Sequence, residues 1–266
     1  MIDSDTEVVT ALPLLGLNEP PAVETVNADG SSSAVLVCDH ASNRVPRRLS
    51  MLGLDAAQLA DHIGWDPGAA DVARHLSADL DTPLVLSGYS RLVIDCNRPL
   101  RSAESIPEES AGVTIPGNRG LSAEERAIRI NALFRPYHDT IARLLDSRSQ
   151  RPTLLLNIHS FTPILNGRSR PWHIGISYGH NRELAVLMRG ALAHGGDFTV
   201  GDNEPYPIED DIDYTIPKHG EGRGLPSVMI EIRQDRILTS ADAAAWAARL
   251  AEAYRLIEAE ALQILM

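Results

Sequence analysis

AVLVCDH (Ala34 to His40) is a short apolar, β-branched run that stops abruptly at an aspartate and a histidine. A run of this kind is buried on both faces, as in a parallel sheet, and delivers polar residues at its C-terminal end. The same pattern recurs along the chain. Pro83 to Leu86 reads as a strand, and so does Arg91 to Cys96, which ends in Asn97, Arg98 and Pro99. Thr153 to Ile158 stops at His159, Ile174 to Tyr178 is another strand, and Ser227 to Ile232 carries Glu231 and Arg233 at its end. Phe198 and Val200 read as a brief edge strand. Helices lie between these runs. Asp55 is a candidate N-cap for a helix to His62, and Gly68 to Leu80 is apolar at Ala69, Val72, Ala73, Leu76 and Leu80. Ser122 with Glu125 forms a capping box for a helix reaching about Arg148, Glu183 to Ala193 is a further helix, and Ala241 to Leu265 closes the chain. Strands alternating with helices predict an α/β fold, a single domain with a mostly parallel mixed sheet and helices on both faces.

Composition bounds the function. The chain has 266 residues, 44% hydrophobic and 23% charged, which fits one large globular domain. Residues 1–33 mix acidic, Pro and small residues and read as a loosely attached arm, leaving 34–266 as the core domain. A net charge of −12 disfavours nucleic acid or an anionic membrane as partner. No stretch is long and apolar enough to span a membrane. Two cysteines, Cys38 and Cys96, stand inside apolar runs and do not make a disulfide scaffold. With no basic segment ahead of an early apolar stretch, the expected compartment is the cytoplasm.

In open parallel sheets ligands bind beyond the carboxyl ends of the strands. Asp39-His40, Asp95-Cys96-Asn97-Arg98, His159-Ser160 and Glu231-Ile232-Arg233 all terminate apolar runs. If these strands are neighbours, imidazoles, carboxylates and a guanidinium converge on one crevice, a donor set suited to a divalent zinc with one position left for water. Glu231, flanked by Ile230 and Ile232, is expected to have a raised pKa and to serve as a general base. Asp66 is either a metal ligand or the N-cap of the helix starting near Gly68. His75 and His194 read as surface or packing residues, and His138, His173 and His180 carry no constellation. GxGxxG after a strand, GxxxxGK[ST], GxSxG and HExxH are all absent.

Five blocks in order give the reading more definition. VCDHASNRVP (Val37 to Pro46), HIGWDPGA (His62 to Ala69), YSRLVIDCNRP (Tyr89 to Pro99), NIHSFTP (Asn157 to Pro163) and IEIRQD (Ile230 to Asp235) together resemble the N-formylglutamate amidohydrolase family. The resemblance implies a zinc-dependent amide hydrolase whose core is similar to the carboxypeptidase A and aspartoacylase folds, acting on N-formyl-L-glutamate or a related N-acyl amino acid. It places His40 and His159 at the metal. Asn43 stands where a His-x-x-Glu pair would place its carboxylate, so Asp66 is the candidate third ligand, and Asp39 or Asn157 would support the ligands from behind. Asn97 and Arg98 resemble the family's pair for the substrate α-carboxylate, and Arg91 is the expected oxyanion partner. Ser160, Arg170 and Arg233, in or beside these blocks, are further substrate-binding candidates, and His219 is a possible catalytic helper. Arg98 or Arg233 paired with Asp95 or Asp235 for structure alone is the competing reading. Other acyl or peptide substrates, or a non-catalytic module for acidic ligands, are the alternatives to the formylglutamate reading.

Overall fold

Along the first core strand, Ala34, Leu36 and Cys38 pack to one side while Val35 and Val37 pack to the other, and all five are buried. Both faces of the sheet are therefore covered, which is why the run is apolar throughout instead of alternating. The structure is a computed structural model that describes residues 13–194 and 198–265. Seven strands form the main sheet: β1 (Val23–Val26), β2 (Ala34–Cys38), β3 (Leu84–Ser87), β4 (Leu154–Phe161), β5 (Ile174–Ser177), β6 (Val200–Asp202) and β7 (Ser227–Arg233), in the order β1-β3-β2-β4-β7-β5-β6. The central four, β3, β2, β4 and β7, are parallel. β1 runs antiparallel to β3 on one edge, and β5 runs antiparallel to β7 with β6 parallel to it on the other.

The helices are α1 (Ala56–Ala60), α2 (Ala69–Leu80), α3 (Ala123–Arg129), α4 (Arg135–Ser147), α5 (Glu183–His194) and α6 (Ser240–Ala261). α2, α5 and α6 cover one face through residues such as Val72, Met188 and Leu250. On the opposite face Tyr137, Ile141 and Leu145 of α4 press against Val35, Val37 and Leu155. The expected capping boxes of α1 (Asp55 with Gln58) and α3 (Ser122 with Glu125) are both formed. A π-helical turn at Ile130–Phe134 joins α3 to α4, so the stripe continues with a shifted phase. No helix among the described residues is long and apolar enough to cross a membrane.

Three expectations need correction. Arg91 to Cys96 is not a strand. It is a series of turns, with Val93 N–H donating to Ser90 O and Asp95 N–H to Ser105 O. Its apolar residues Leu92, Val93 and Ile94 are buried in a second core beside the sheet, with Leu52, Ile106, Ile115 and Phe134. A short apolar run reports burial, and that burial need not be in the sheet. Second, β4 does not stop at His159 but continues to Phe161. Third, the sheet begins before Ala34. Residues 1–12 of the expected arm lie outside the described residues, but β1 pairs with β3 from Val23 to Val26, Leu14 is buried, and the Tyr89 hydroxyl donates to Pro20 O at 2.7 Å.

Candidate active site

β4 and β7 are neighbours in a register that sets His159 beside Glu231, which puts both side chains on the same face near the carboxyl ends. β2, on the other side of β4, ends just before Asp39 and His40. The fourth contributor is the turn ahead of α2. Asp66 N–H donates to His40 O at 3.0 Å, which seats the aspartate against the end of β2. The turn closes at Gly68, the N-cap of α2, with φ +80° and a Cβ position 2.4 Å from Ile237 O. No side chain caps α2 there. Asp66 is thus not the N-cap, the structural alternative its sequence position had left open.

The Asp66 carboxylate instead reaches both imidazoles. Its Oδ1 lies 3.4 Å from His40 Nδ1 and its Oδ2 2.7 Å from His159 Nδ1, and Oδ2 also accepts from the Ser160 backbone N–H at 3.2 Å. Each ring is held from behind by a second carboxylate. His40 Nε2 lies 2.7 Å from Asp95 Oδ1, and His159 Nε2 lies 3.0 Å from Asp39 Oδ2. Asp39 additionally accepts from Asn157 Nδ2, Tyr137 OH and Thr215 Oγ1, at 2.6, 2.8 and 2.7 Å. Asp95 is fixed by Arg91, whose Nε and Nη2 sit 2.9 and 2.7 Å from its Oδ2.

The electrostatics follow from this wiring. Burial alone would raise Asp39, Asp66 and Asp95, but the imidazoles and Arg91 beside them hold all three below the usual carboxylate range. Burial alone would lower His159, yet its hydrogen bonds to Asp39 and Asp66 push it well above the ordinary imidazole value. The cluster therefore attracts positive charge between His159 and Asp66, where a proton or a cation satisfies it. His40 Nδ1 is buried without a hydrogen-bond partner. His40, Asp66 and His159 have ligand atoms within 4.8 Å of one another. An orphaned imidazole nitrogen, a bridging carboxylate and rings backed by carboxylates fit a divalent cation such as zinc. Glu231 is 4% exposed and its Oε2 has no partner. Burial, aided by the charge of Asp66, pushes its carboxyl up to about 7.

These groups open onto a cavity of about 360 Å³. Arg91, Asn97, Arg98 and Ser160 line it with them. Asn97 is engaged at both ends of its amide. Its Nδ2 donates to Asp213 Oδ1 at 3.0 Å and its Oδ1 accepts from the backbone N–H groups of Tyr214 and Thr215 at 3.0 Å each, docking the loop that precedes β7. Arg98 uses only Nη1, on Asn97 O at 3.0 Å and on Asp213 Oδ1 at 3.4 Å. Ser160 Oγ donates to Pro67 O at 2.9 Å.

Three expected residues stand elsewhere. His219 is not in the cavity wall. It stacks on His138, with 3.0 Å between its Nε2 and His138 Nδ1, while His138 Nε2 donates to Cys96 O at 2.8 Å. Burial pushes this pair down to about 3 and about 4, so both rings are neutral and structural. Arg233 serves its own surroundings, pairing with Asp235 at 2.7 Å and donating to the carbonyls of Arg170 and Trp172 at 2.9 and 3.2 Å. Arg170 lies behind the wall. Its guanidinium stacks 4.7 Å from the Tyr206 ring and donates to the Tyr206 hydroxyl at 2.6 Å, and Tyr206 is what faces the cavity. Tyr206, Asp213 and His62 are wall residues that sequence reasoning did not assign. The first two sit in a loop rich in Pro, Asp and Tyr, and only its composition set it apart.

The N-formylglutamate amidohydrolase family model matches residues 32–238. The chain belongs to this family. Among solved structures, a gene product of Agrobacterium tumefaciens is 39% identical, aligns over 92% of this chain and 99% of its own, and has a TM-score of 0.87. An N-formylglutamate amidohydrolase from Ralstonia eutropha JMP134 is 19% identical over 90% of this chain and 98% of its own, with a TM-score of 0.65, a likeness of fold. A metallo-carboxypeptidase from Burkholderia cenocepacia aligns at 13% identity over 91% of this chain and 66% of its own with a TM-score of 0.38, too distant to carry an argument. The search of curated proteins found no match. Every block that carries the resemblance lies within the matched span, so this N-formylglutamate amidohydrolase family member has its polar cluster and Glu231 inside the region that defines the family.

Proposed function

We propose that this amidohydrolase hydrolyses N-formyl-L-glutamate, or a closely related N-acyl amino acid, to formate and the free amino acid, with one divalent metal, zinc by its donor chemistry, held by His40, Asp66 and His159. The observation that carries the reading is a carboxyl poised near neutrality, Glu231, facing two imidazoles bridged by one carboxylate in a single cavity. A bound divalent ion supplies Lewis acidity, polarising an amide carbonyl and acidifying water.

The chain's own residues do the rest. Glu231 Oε2 has no partner and is free to take a proton from the attacking water. The same oxygen then returns that proton to the amine nitrogen, which must leave protonated at neutral pH. Arg91, immobilised on Asp95, presents positive charge beside the cluster, where its Nη1 is 3.8 Å from Asp66 Oδ1, and stabilises the charge developing on the carbonyl oxygen. Arg98 has guanidinium hydrogens to spare for the substrate α-carboxylate, and the Asp213 and Asn97 contacts orient it. Arg170 acts through Tyr206 and not by direct contact, and Ser160 positions Asp66 through its backbone.

The test combines metal analysis with a substrate panel. Purified protein is expected to carry close to one metal per chain, and the double variant His40→Ala, His159→Ala to carry none; equal metal in both overturns the site. Wild type is expected to release free amine from N-formyl-L-glutamate faster than from N-acetyl or N-succinyl amino acids. Glu231→Gln should retain metal and lose about 10²-fold or more in turnover. Ligand-induced thermal stabilisation with no amine released from any substrate identifies a binding module instead.

A further inference from the structure

We infer that His62 selects the side-chain carboxylate of the acyl amino acid, a role that rests on the dicarboxylate substrate proposed above. Apart from the two imidazoles of the metal cluster, the cationic or potentially cationic side chains on the cavity wall are Arg91, Arg98 and His62. Arg91 is committed to Asp95 through two nitrogens, and Arg98 is placed for the first carboxylate. A second carboxylate buried without a donor would lose its hydration uncompensated. His62 is the cationic candidate that remains, beside the neutral donors of Tyr206 and Gln234 on the same wall.

Its setting is a built one. Asp61 Oδ1 accepts from the His62 backbone N–H at 2.6 Å and lies 2.7 Å from His62 Nδ1, so the ring is held in one orientation, and as an imidazolium it donates Nδ1–H to Asp61 and Nε2–H to a bound carboxylate. The turn that carries it is anchored on both sides. Gly64 N–H donates to Asp61 O at 2.9 Å, Ser90 Oγ donates to Gly64 O at 2.6 Å, and a Cβ on Gly64 would meet Leu59 O at 2.5 Å. Asp66 sits at the far end of the same turn, so the residue that reads the side chain and a residue of the candidate metal cluster stand on one short segment. The ring is half-buried, which suits the outer end of a substrate whose amide lies at Glu231. Asp213, an acid on the facing wall, is already occupied by Asn97 and Arg98.

Binding and turnover separate this role from a structural one. N-formyl-L-glutamate and its neutral isostere N-formyl-L-glutamine are titrated into metal-loaded Glu231→Gln protein with and without His62→Gln, and kcat/KM is measured for both substrates in wild type, His62→Gln and Asp61→Asn. The preference for glutamate over glutamine, in Kd and in kcat/KM, is expected to fall about 10-fold in His62→Gln, the scale of one charge-assisted hydrogen bond, and to fall in the same direction in Asp61→Asn. An unchanged preference, an equal loss on both ligands, or a parent protein that binds both equally overturns the assignment. Failure of the hydrolytic reading has a different signature: wild type turns over neither substrate, while the Kd ratio still scores His62.

Discussion

Glu231 illustrates what one residue in a sheet can be made to do by its surroundings. Ile230 and Ile232 point to the opposite face, so the glutamate is the polar member of an apolar strand and its carboxyl enters the cavity with little water around it. Its folded pKa, about 7, lies above the ordinary value of 4.5, so the folded state favours the protonated form. That contribution to stability is complete below the unfolded pKa and is lost as the pH rises through the folded one. Glutamine cannot ionise and escapes the loss. In metal-free protein, Glu231→Gln should thus be close to wild type in urea stability at pH 4.5 and more stable by roughly 2–4 kcal/mol at pH 8. A difference that stays flat between those pH values would refute the raised carboxyl. Loading a divalent metal adds positive charge nearby, favours the ionised glutamate and should shrink the difference at pH 8.

The residues of the cluster were legible because each interrupts an apolar run or sits in a distinctive block: His40 after Cys38, His159 after Ile158, Glu231 between isoleucines. Asp39 and Asn157 were legible as supports from the same blocks, and they do back His159, but most of the pairings behind the cluster were not. Asp95 is 55 positions from His40 and Thr215 is 176 from Asp39, and no local pattern encodes such pairings. His219 misled for the same reason, since a buried histidine paired through one nitrogen with another histidine reads like a catalytic one until its partner is known.

At the scale of elements, caps and core strands were plain and boundaries were less so. Asp55 with Gln58 and Ser122 with Glu125 announce their helices because the motif is local, needing only the residues it contains. Arg91 to Cys96 deceived because its apolar residues are buried by Leu52, Ile106 and Phe134, elements that a sequence pattern cannot place. The turn before α2 shows how an element end positions chemistry. Gly68 combines φ +80° with a backbone carbonyl 2.4 Å from its Cβ position, so any side chain must push Ile237 away from α2. Gly68→Ala is expected to destabilise by about 2 kcal/mol or more in chemical denaturation and to weaken metal binding by displacing Asp66 two positions earlier. Unaltered stability and metal affinity would show that the turn is not constrained as described.

For the whole molecule, alternation of strand and helix was enough to give the α/β architecture with its mostly parallel sheet, because a sheet covered on both faces leaves continuous apolar runs. The edge was harder. β1 has a half-exposed, mixed composition that reads as part of an arm, yet it covers β3 over four residue pairs. A chain starting at Ala34 should therefore lose more than a tail. It uncovers the β3 edge, empties the place of Leu14 in the second core and frees the hydroxyl of Tyr89. A loss of about 3 kcal/mol is expected, read as a melting temperature lower by roughly 10 °C for a domain of this size. A truncated protein that melts with the full chain would restore the view of this segment as an appendage.

The three candidate metal-holding residues are far apart in the chain, with His159 93 positions beyond Asp66. A zinc finger gathers its ligands within one local loop and folds around the ion, but here the ligand set exists only after β2, the turn before α2 and β4 have come together. An ion held there would thus be a latecomer to folding, arriving once the long-range contacts that limit the rate have formed. Stopped-flow measurements should find refolding equally fast, within about twofold, with zinc or with chelator, and unfolding slowed by zinc, the kinetic signature of an interaction absent from the transition state. Zinc-accelerated refolding would mean instead that the cluster assembles early and helps to template the sheet.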